Sequence, residues 1–261
     1  MPTLNGSDFT WYNLTEVAEA WDDMIVAISE LRDESGFMYV PYSATITPAS
    51  LTKPLFSRFD IVDITRQVLA NLAAFVHQHA IKALNEGDFP VYIENMGLFF
   101  QLLWDLDDLL CSHDKFLLGT WLDLAKNIEG ATPEESHLYE FNARNQVTLW
   151  GPRGEILDYA AKQWCGLVRD YYGERWQLLH KLIVESYYSQ QPFNQTEFHE
   201  VFIDSIGIPF TLDRKVYPTQ PYGNSVKIVM EIFDFWRPLV DEFVAKSFQV
   251  ADDEYVTVEI L

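Results

Sequence analysis

The stretch DIVDITRQVLANLAAFVHQHAIKALN, residues 60–85, decides the architecture. Ile61, Ile64, Val68, Leu72, Phe75 and Val76 recur every three or four positions, which is the single apolar stripe of a buried α-helix. Asp60 and Asp63 stand where a helix would begin, and carboxylates there complement the unpaired N–H groups of the first turn. Glu86-Gly87-Asp88 supplies the stop.

The same period continues on both sides. Upstream, Trp11, Leu14, Val17, Trp21 and Ile25 predict a helix within residues 9–32, followed by a loop rich in Gly, Pro, Ser and Thr over 34–54. Downstream, residues 89–111 are densely apolar, which predicts a helix buried on more than one side. Further helices are expected over 114–127, 133–147, 155–189, 196–204 and 225–248. Residues 250–261 alternate in part and read as a short strand or a frayed end. A TIM barrel would show about eight strand–helix units over this length, and none is present. The prediction is therefore an all-α chain with no TIM barrel: one bundle of about eight helices. Residues 1–55 would supply a helix and linker packed on it, 56–248 the bundle, and 249–261 an acidic tail.

Composition excludes several functions. The net charge is −21 over 261 residues with no basic run, which is the wrong sign for nucleic acid or an anionic membrane. No stretch of about 18 apolar residues exists to span a bilayer. The N-terminus lacks the basic and apolar segments of a signal peptide. An acidic chain repels itself least near its isoelectric point, which suits an acidic compartment. The same charge also fits nothing more than a carboxylate-rich soluble face. Cys111 and Cys165 allow one disulfide and decide nothing about compartment. Three Asn-x-Ser/Thr triplets, at Asn5, Asn13 and Asn194, permit a secretory route.

The segment NARNQVTLWGPRGEILDY, residues 142–159, carries the most specific information. One helix is expected to run into Leu149-Trp150, and Gly151-Pro152-Arg153-Gly154 then forces a tight turn. A new helix from Glu155 would set Ile156 and Tyr159 on one face. Trp150, Ile156 and Tyr159 then form a pocket wall, with the Trp stacking on a sugar and the Tyr hydroxyl fixing its orientation. An apolar staple closing the helix start explains the same spacing, and from spacing alone it is the stronger reading. KFLLGTWL, residues 115–122, reads as a core helix with a glycine at a close contact. FDIVDITRQ, residues 59–67, reads as a capped helix start with Asp63 able to pair with Arg66 or Gln67. VYPTQPYG, residues 216–223, reads as an ordered loop before the last helix.

Taken in order, these four segments resemble the C-terminal region of the α-N-acetylglucosaminidases, glycoside hydrolase family 89. The strongest match runs through Thr148-Leu149-Trp150-Gly151-Pro152, Gly154 and Ile156-Leu157-Asp158-Tyr159-Ala160. Lys162-Gln163, Gly166-Leu167-Val168 and Tyr171-Tyr172 continue it. The resemblance extends from about Phe56 to Pro238. It implies an enzyme with a small N-terminal domain, a TIM-like catalytic barrel and an all-helical C-terminal domain. Such enzymes remove terminal α-linked N-acetylglucosamine, in animals from heparan sulfate in the lysosome, through two glutamates on the barrel. The helical domain completes the sugar pocket. The positions matching its pocket-lining residues are Trp150, Ile156 and Tyr159, and Arg144 matches an arginine that supports the region. The implied partners are that barrel and a terminal N-acetylglucosamine. The implied location is lysosomal, vacuolar or secreted.

No catalytic acid or base is assigned within the chain. Asp105, Asp107 and Asp108 read as a solvated helix stripe, and Glu134 and Glu135 after Pro133 as first-turn residues. His77 and His79 are two apart and splay on a helix, and Cys111 and His113 lack partners, so no metal is assigned. Neither a nucleophile elbow nor a phosphate loop is present, and no cofactor is implied. Two readings remain from sequence: a pocket-closing domain of an α-N-acetylglucosaminidase, or a free-standing helical module binding carbohydrate or protein.

Overall fold

The computed structural model describes residues 12–30 and 57–250, with side chains placed over 12–29 and 57–245. Asn5, the 34–54 loop and the 251–261 tail lie outside the described residues. The described chain is helical, and its one β-type contact is an isolated bridge between Leu117 and Cys165.

A hairpin of α2 (Arg58–Glu86) and α3 (Phe89–Leu110) forms the centre. Ser57 caps α2 in a reciprocal box with Asp60, so two unpaired backbone donors are satisfied at once. Asp63 pairs with Arg66 at 2.7 Å, as the spacing predicted. Gly87, at φ +80°, returns its N–H to Ala83 and Leu84 and ends the helix. Asp88 then caps α3, with Pro90 in its first turn.

Two outer helices close over this hairpin, α1 (Leu14–Glu30) and α9 (Ser225–Val250). Fully buried Trp21 on α1 donates its indole N–H to Thr65 at 3.0 Å and meets Phe233 edge to face. Trp236 on α9 donates to Asp105 at 2.7 Å.

At the other end sits a second hairpin, α4 (Leu118–Lys126) and α5 (Pro133–Gln146). A Cβ at Gly119 would collide with the carbonyl oxygens of Tyr217 and Pro218. That is the close contact its sequence suggested, and it locks the 216–223 loop against α4. Residues 114–116 form a short 3₁₀ turn ahead of α4, so that helix starts later than its period implied.

The largest departure is at residues 155–189, expected to be one helix. Residues 155–160 are turns, a π-helical turn covers Val168–Gly173, and α6 begins only at Glu174 and ends at Ser189. Three tertiary ties override the helical period. A disulfide joins Cys165 to Cys111 at the end of α3. Cys165 also exchanges backbone hydrogen bonds with Phe116 and Leu118. Gly166, at φ +85°, lies so close to the Tyr217 ring that a side chain would overlap it.

The helix expected over 196–204 instead continues further. α7 (Gln195–Phe202) passes through a π turn (Ile203–Gly207) into α8 (Ile208–Leu212). Pro209 is the second residue of α8 and follows the π turn directly. Counting α7–α8 as one rod leaves eight among the described residues, α1 to α6, α7–α8 and α9.

Candidate functional site

The 145–158 turn is built from α5 outward. At the helix end the Asn145 carbonyl accepts from the N–H groups of Thr148 and Trp150, at 3.1 and 2.7 Å. The Asn145 side-chain oxygen takes the N–H of Gly151 at 2.9 Å. Thr148 donates its hydroxyl to the Arg144 carbonyl and accepts the N–H of Asp158 on its own carbonyl at 3.0 Å. This clamp holds Trp150 at φ +44° and Asp158 at φ +61°, both in the left-handed region that side chains rarely enter. Gly154, at φ +84°, completes the reversal.

Two buried arginines brace the turn from behind. Arg144 has no exposed surface; it bonds Glu140 at 2.8 and 3.1 Å and the Lys215 carbonyl at 2.8 Å. Its guanidinium lies over the rings of Phe210 and Tyr217. The resemblance implied a supporting part for Arg144, and here it ties α5 to the 215–217 segment. Arg175 was not singled out by sequence reading. It is 1% exposed and pairs with Asp158 at 2.6 Å, surrounded by the faces of Tyr171, Tyr172 and Phe202. Burial raises both tyrosine hydroxyls, Tyr172 to about 12, so neither ionises near neutrality. The signal was present: an arginine four and three residues after two tyrosines on a helical run lies over their rings.

In front, the turn opens to solvent. Tyr159 is 73% exposed and Ile156 is 49% exposed. The half-buried Trp150 ring meets Tyr159 edge to face, with centroids 5.1 Å apart. The three residues share this turn, although not through a common helix face: no helix begins at Glu155, and the left-handed Asp158 aims Tyr159 instead. The result is an aromatic corner with a phenol hydroxyl, suited to the apolar face and hydroxyl rim of a sugar.

The acidic run of α3 differs from the solvated stripe its sequence suggested. Asp107 is 3% exposed and accepts backbone N–H groups from Gly166 and Arg169 at 2.7 and 3.2 Å. Burial raises its pKa against those bonds and against the Arg169 guanidinium. Arg169 bridges Asp107 and Asp108 and lies over Trp104. Asp105 is held by Trp236 and Gln101. All three carboxylates thus fasten helices or loops to one another. Glu135 forms a capping box with Thr132 at the start of α5, and Glu134 shares that first turn. The tightest acid–cysteine group, Asp107 with Cys111 and Cys165, is the disulfide itself, and joined sulfurs offer no thiolate to a metal. No helix among the described residues is long and apolar enough to cross a membrane.

Comparison with known proteins gives this geometry its context. Residues 44–234 match the family model of the α-N-acetylglucosaminidase (NAGLU) C-terminal domain. The human α-N-acetylglucosaminidase is 36% identical over 239 residues, covering 91% of this chain and 29% of its own length. This chain thus spans under a third of that relative. A Clostridium perfringens family 89 glycoside hydrolase, solved with GlcNAc-α-1,4-galactose, superposes with a TM-score of 0.67 at 23% identity. The match covers 87% of this chain and 24% of that one. The Clostridium perfringens enzyme solved with 2-acetamido-1,2-dideoxynojirmycin gives 0.68 at 23%, covering 89% and 26%. The helical fold is therefore shared with these enzymes, and the chain belongs to the α-N-acetylglucosaminidase C-terminal domain family.

Proposed function

We propose that this domain forms one wall of a pocket for terminal α-linked N-acetylglucosamine, in an enzyme whose catalytic carboxylates lie on a barrel outside this chain. One observation carries the reading: Trp150 and Tyr159 meet in a solvent-open corner on a turn held in left-handed backbone and braced by two buried arginines. Strained backbone over-determined by its surroundings is characteristic of binding sites. Ile156 adds an exposed apolar side chain to the same turn. The names of the human relative and of the Clostridium perfringens complexes supply the sugar class.

A retaining glycosidase needs two carboxyl groups about 5–5.5 Å apart across the scissile bond. The α3 carboxylates are engaged by Trp236, Gln101, Gly166 and Arg169, which supports placing the acid pair on the barrel that the family resemblance implies. Heparan sulfate-type glycans are the proposed substrate, and a lysosomal, vacuolar or secreted setting is the proposed location. The Cys111–Cys165 disulfide supports a lumenal setting.

The test is an assay of an aryl α-N-acetylglucosaminide at acid pH, with this chain alone and with the enzyme that carries it. The chain alone is expected to give no turnover. Trp150→Ala in the enzyme is expected to weaken transition-state binding by about 2 kcal/mol, roughly 30-fold in kcat/KM, while the domain stays folded. Turnover by the chain alone, abolished by Asp105→Asn or Asp108→Asn, would overturn the reading. Sugar binding by the isolated chain without turnover would favour a free-standing carbohydrate module.

A further inference from the structure

We propose that Asn194 carries an N-linked glycan, at the N-terminal cap of α7. Asn194-Gln195-Thr196 is an acceptor triplet without proline at its centre. Asn194 is exposed, with extended backbone at φ −114° and ψ 105°. Its carboxamide is divided between two tasks. The side-chain oxygen caps α7, accepting the N–H groups of Thr196 at 3.0 Å and Glu197 at 3.2 Å. The side-chain nitrogen makes no hydrogen bond to any described residue and is left to solvent. Phe193, packed near Phe198, fixes the approach to the cap. The triplet at Asn13 differs, because the Asn13 side-chain nitrogen points to Glu16 at 3.5 Å.

Glycosylation fits this division. The Asn194 nitrogen attacks the anomeric carbon of a lipid diphosphate-linked oligosaccharide. An N–C bond forms, the bond from that carbon to the diphosphate oxygen breaks, and the amide's proton leaves with the diphosphate. The product is still an amide, so its oxygen keeps the cap.

The position also spares the site. The aromatic turn meets the π turn that follows α7, where Arg153 pairs with Asp204 at 2.9 Å and Gly154 lies against Ile203. The eight residues of α7 set Asn194 roughly 12 Å along the axis from that contact. The attachment point is therefore separate from the turn that carries Trp150 and Tyr159. The buried disulfide independently supports folding in an oxidising lumen, where this modification occurs.

The experiment directs the full chain into the secretory pathway of a eukaryotic cell. The recovered protein is mapped by mass spectrometry before and after peptide N-glycosidase. The expected result is one glycan released from the Asn194 peptide, leaving aspartate there. Thr196→Ala and Asn194→Asp are each expected to lose that glycan. Asn194→Asp keeps a capping oxygen and melts like deglycosylated wild type, whereas Asn194→Gln loses glycan and cap together and melts lower. An unmodified Asn194 peptide from protein that has entered the lumen overturns the proposal. The readout is a mass, so it stands or falls separately from sugar hydrolysis.

Discussion

Arg175 and Asp158 show how much one pair can hold. The arginine is buried among three aromatic rings, and the aspartate it binds sits in left-handed backbone immediately before Tyr159. Removing one partner of a buried pair leaves the other uncompensated. Arg175→Ala is expected to cost about 3–5 kcal/mol in a denaturant titration. Asp158→Asn should cost less, because asparagine tolerates left-handed backbone and can still accept from Arg175. Equal losses in the two variants would mean that the aromatic cage, rather than the ion pair, fixes the turn. Sequence reading singled out Trp150, Ile156, Tyr159 and Arg144 but not this pair. Asp158 read as an ordinary helical residue, and only the backbone angle reveals why its partner matters.

At the scale of elements, helices were legible wherever local signals agreed. Residues 60–85 combined period, cap and stop, and α2 matches them closely. The 155–189 stretch had an equally good apolar period and failed over its first half. Its conformation there is imposed by Cys111, Phe116 and Tyr217, all distant in sequence. Such ties leave no local trace: the two cysteines only allowed a disulfide, and Gly166 is one glycine among twelve. The disulfide closes a loop of 54 residues, and a constraint of that size contributes about 2–4 kcal/mol. The double variant Cys111→Ala/Cys165→Ala is expected to lose that much in chemical denaturation. The loss should be accompanied by faster proteolysis within residues 155–167. An unchanged midpoint would show that the backbone bonds of Cys165 hold the segment unaided. Gly119→Ala is expected to cost about 1–3 kcal/mol, because its Cβ meets backbone carbonyls that cannot turn aside. Thermal melting checks it.

Across the whole molecule, charge and buried histidines set the response to pH. His77 lies against Phe99 and Trp176, with its Nε2 buried and unpaired. Burial lowers its pKa from 6.5 to about 4. Between those values the unfolded chain binds a proton that the folded chain does not. Stability contributed by neutral His77 is therefore complete above pH 6.5 and is lost as pH falls toward 4. The loss from pH 7 to pH 5 should be about 1–2 kcal/mol. His113 and His180 shift in the same direction, chiefly through burial. His77→Phe is expected to flatten the decline in melting temperature over this range. A slope identical to wild type would remove His77 from the account. The net charge of −21 acts oppositely, since protonating surface carboxylates relieves self-repulsion as pH falls.

The bond between Cys111 and Cys165 also changes what a cut to the backbone means. It spans the whole α4–α5 hairpin and the aromatic turn. A protease that nicks the chain once anywhere between the two cysteines opens a ring and releases nothing. The two pieces remain one covalent molecule, run together on a non-reducing gel, and part only when a reductant is added.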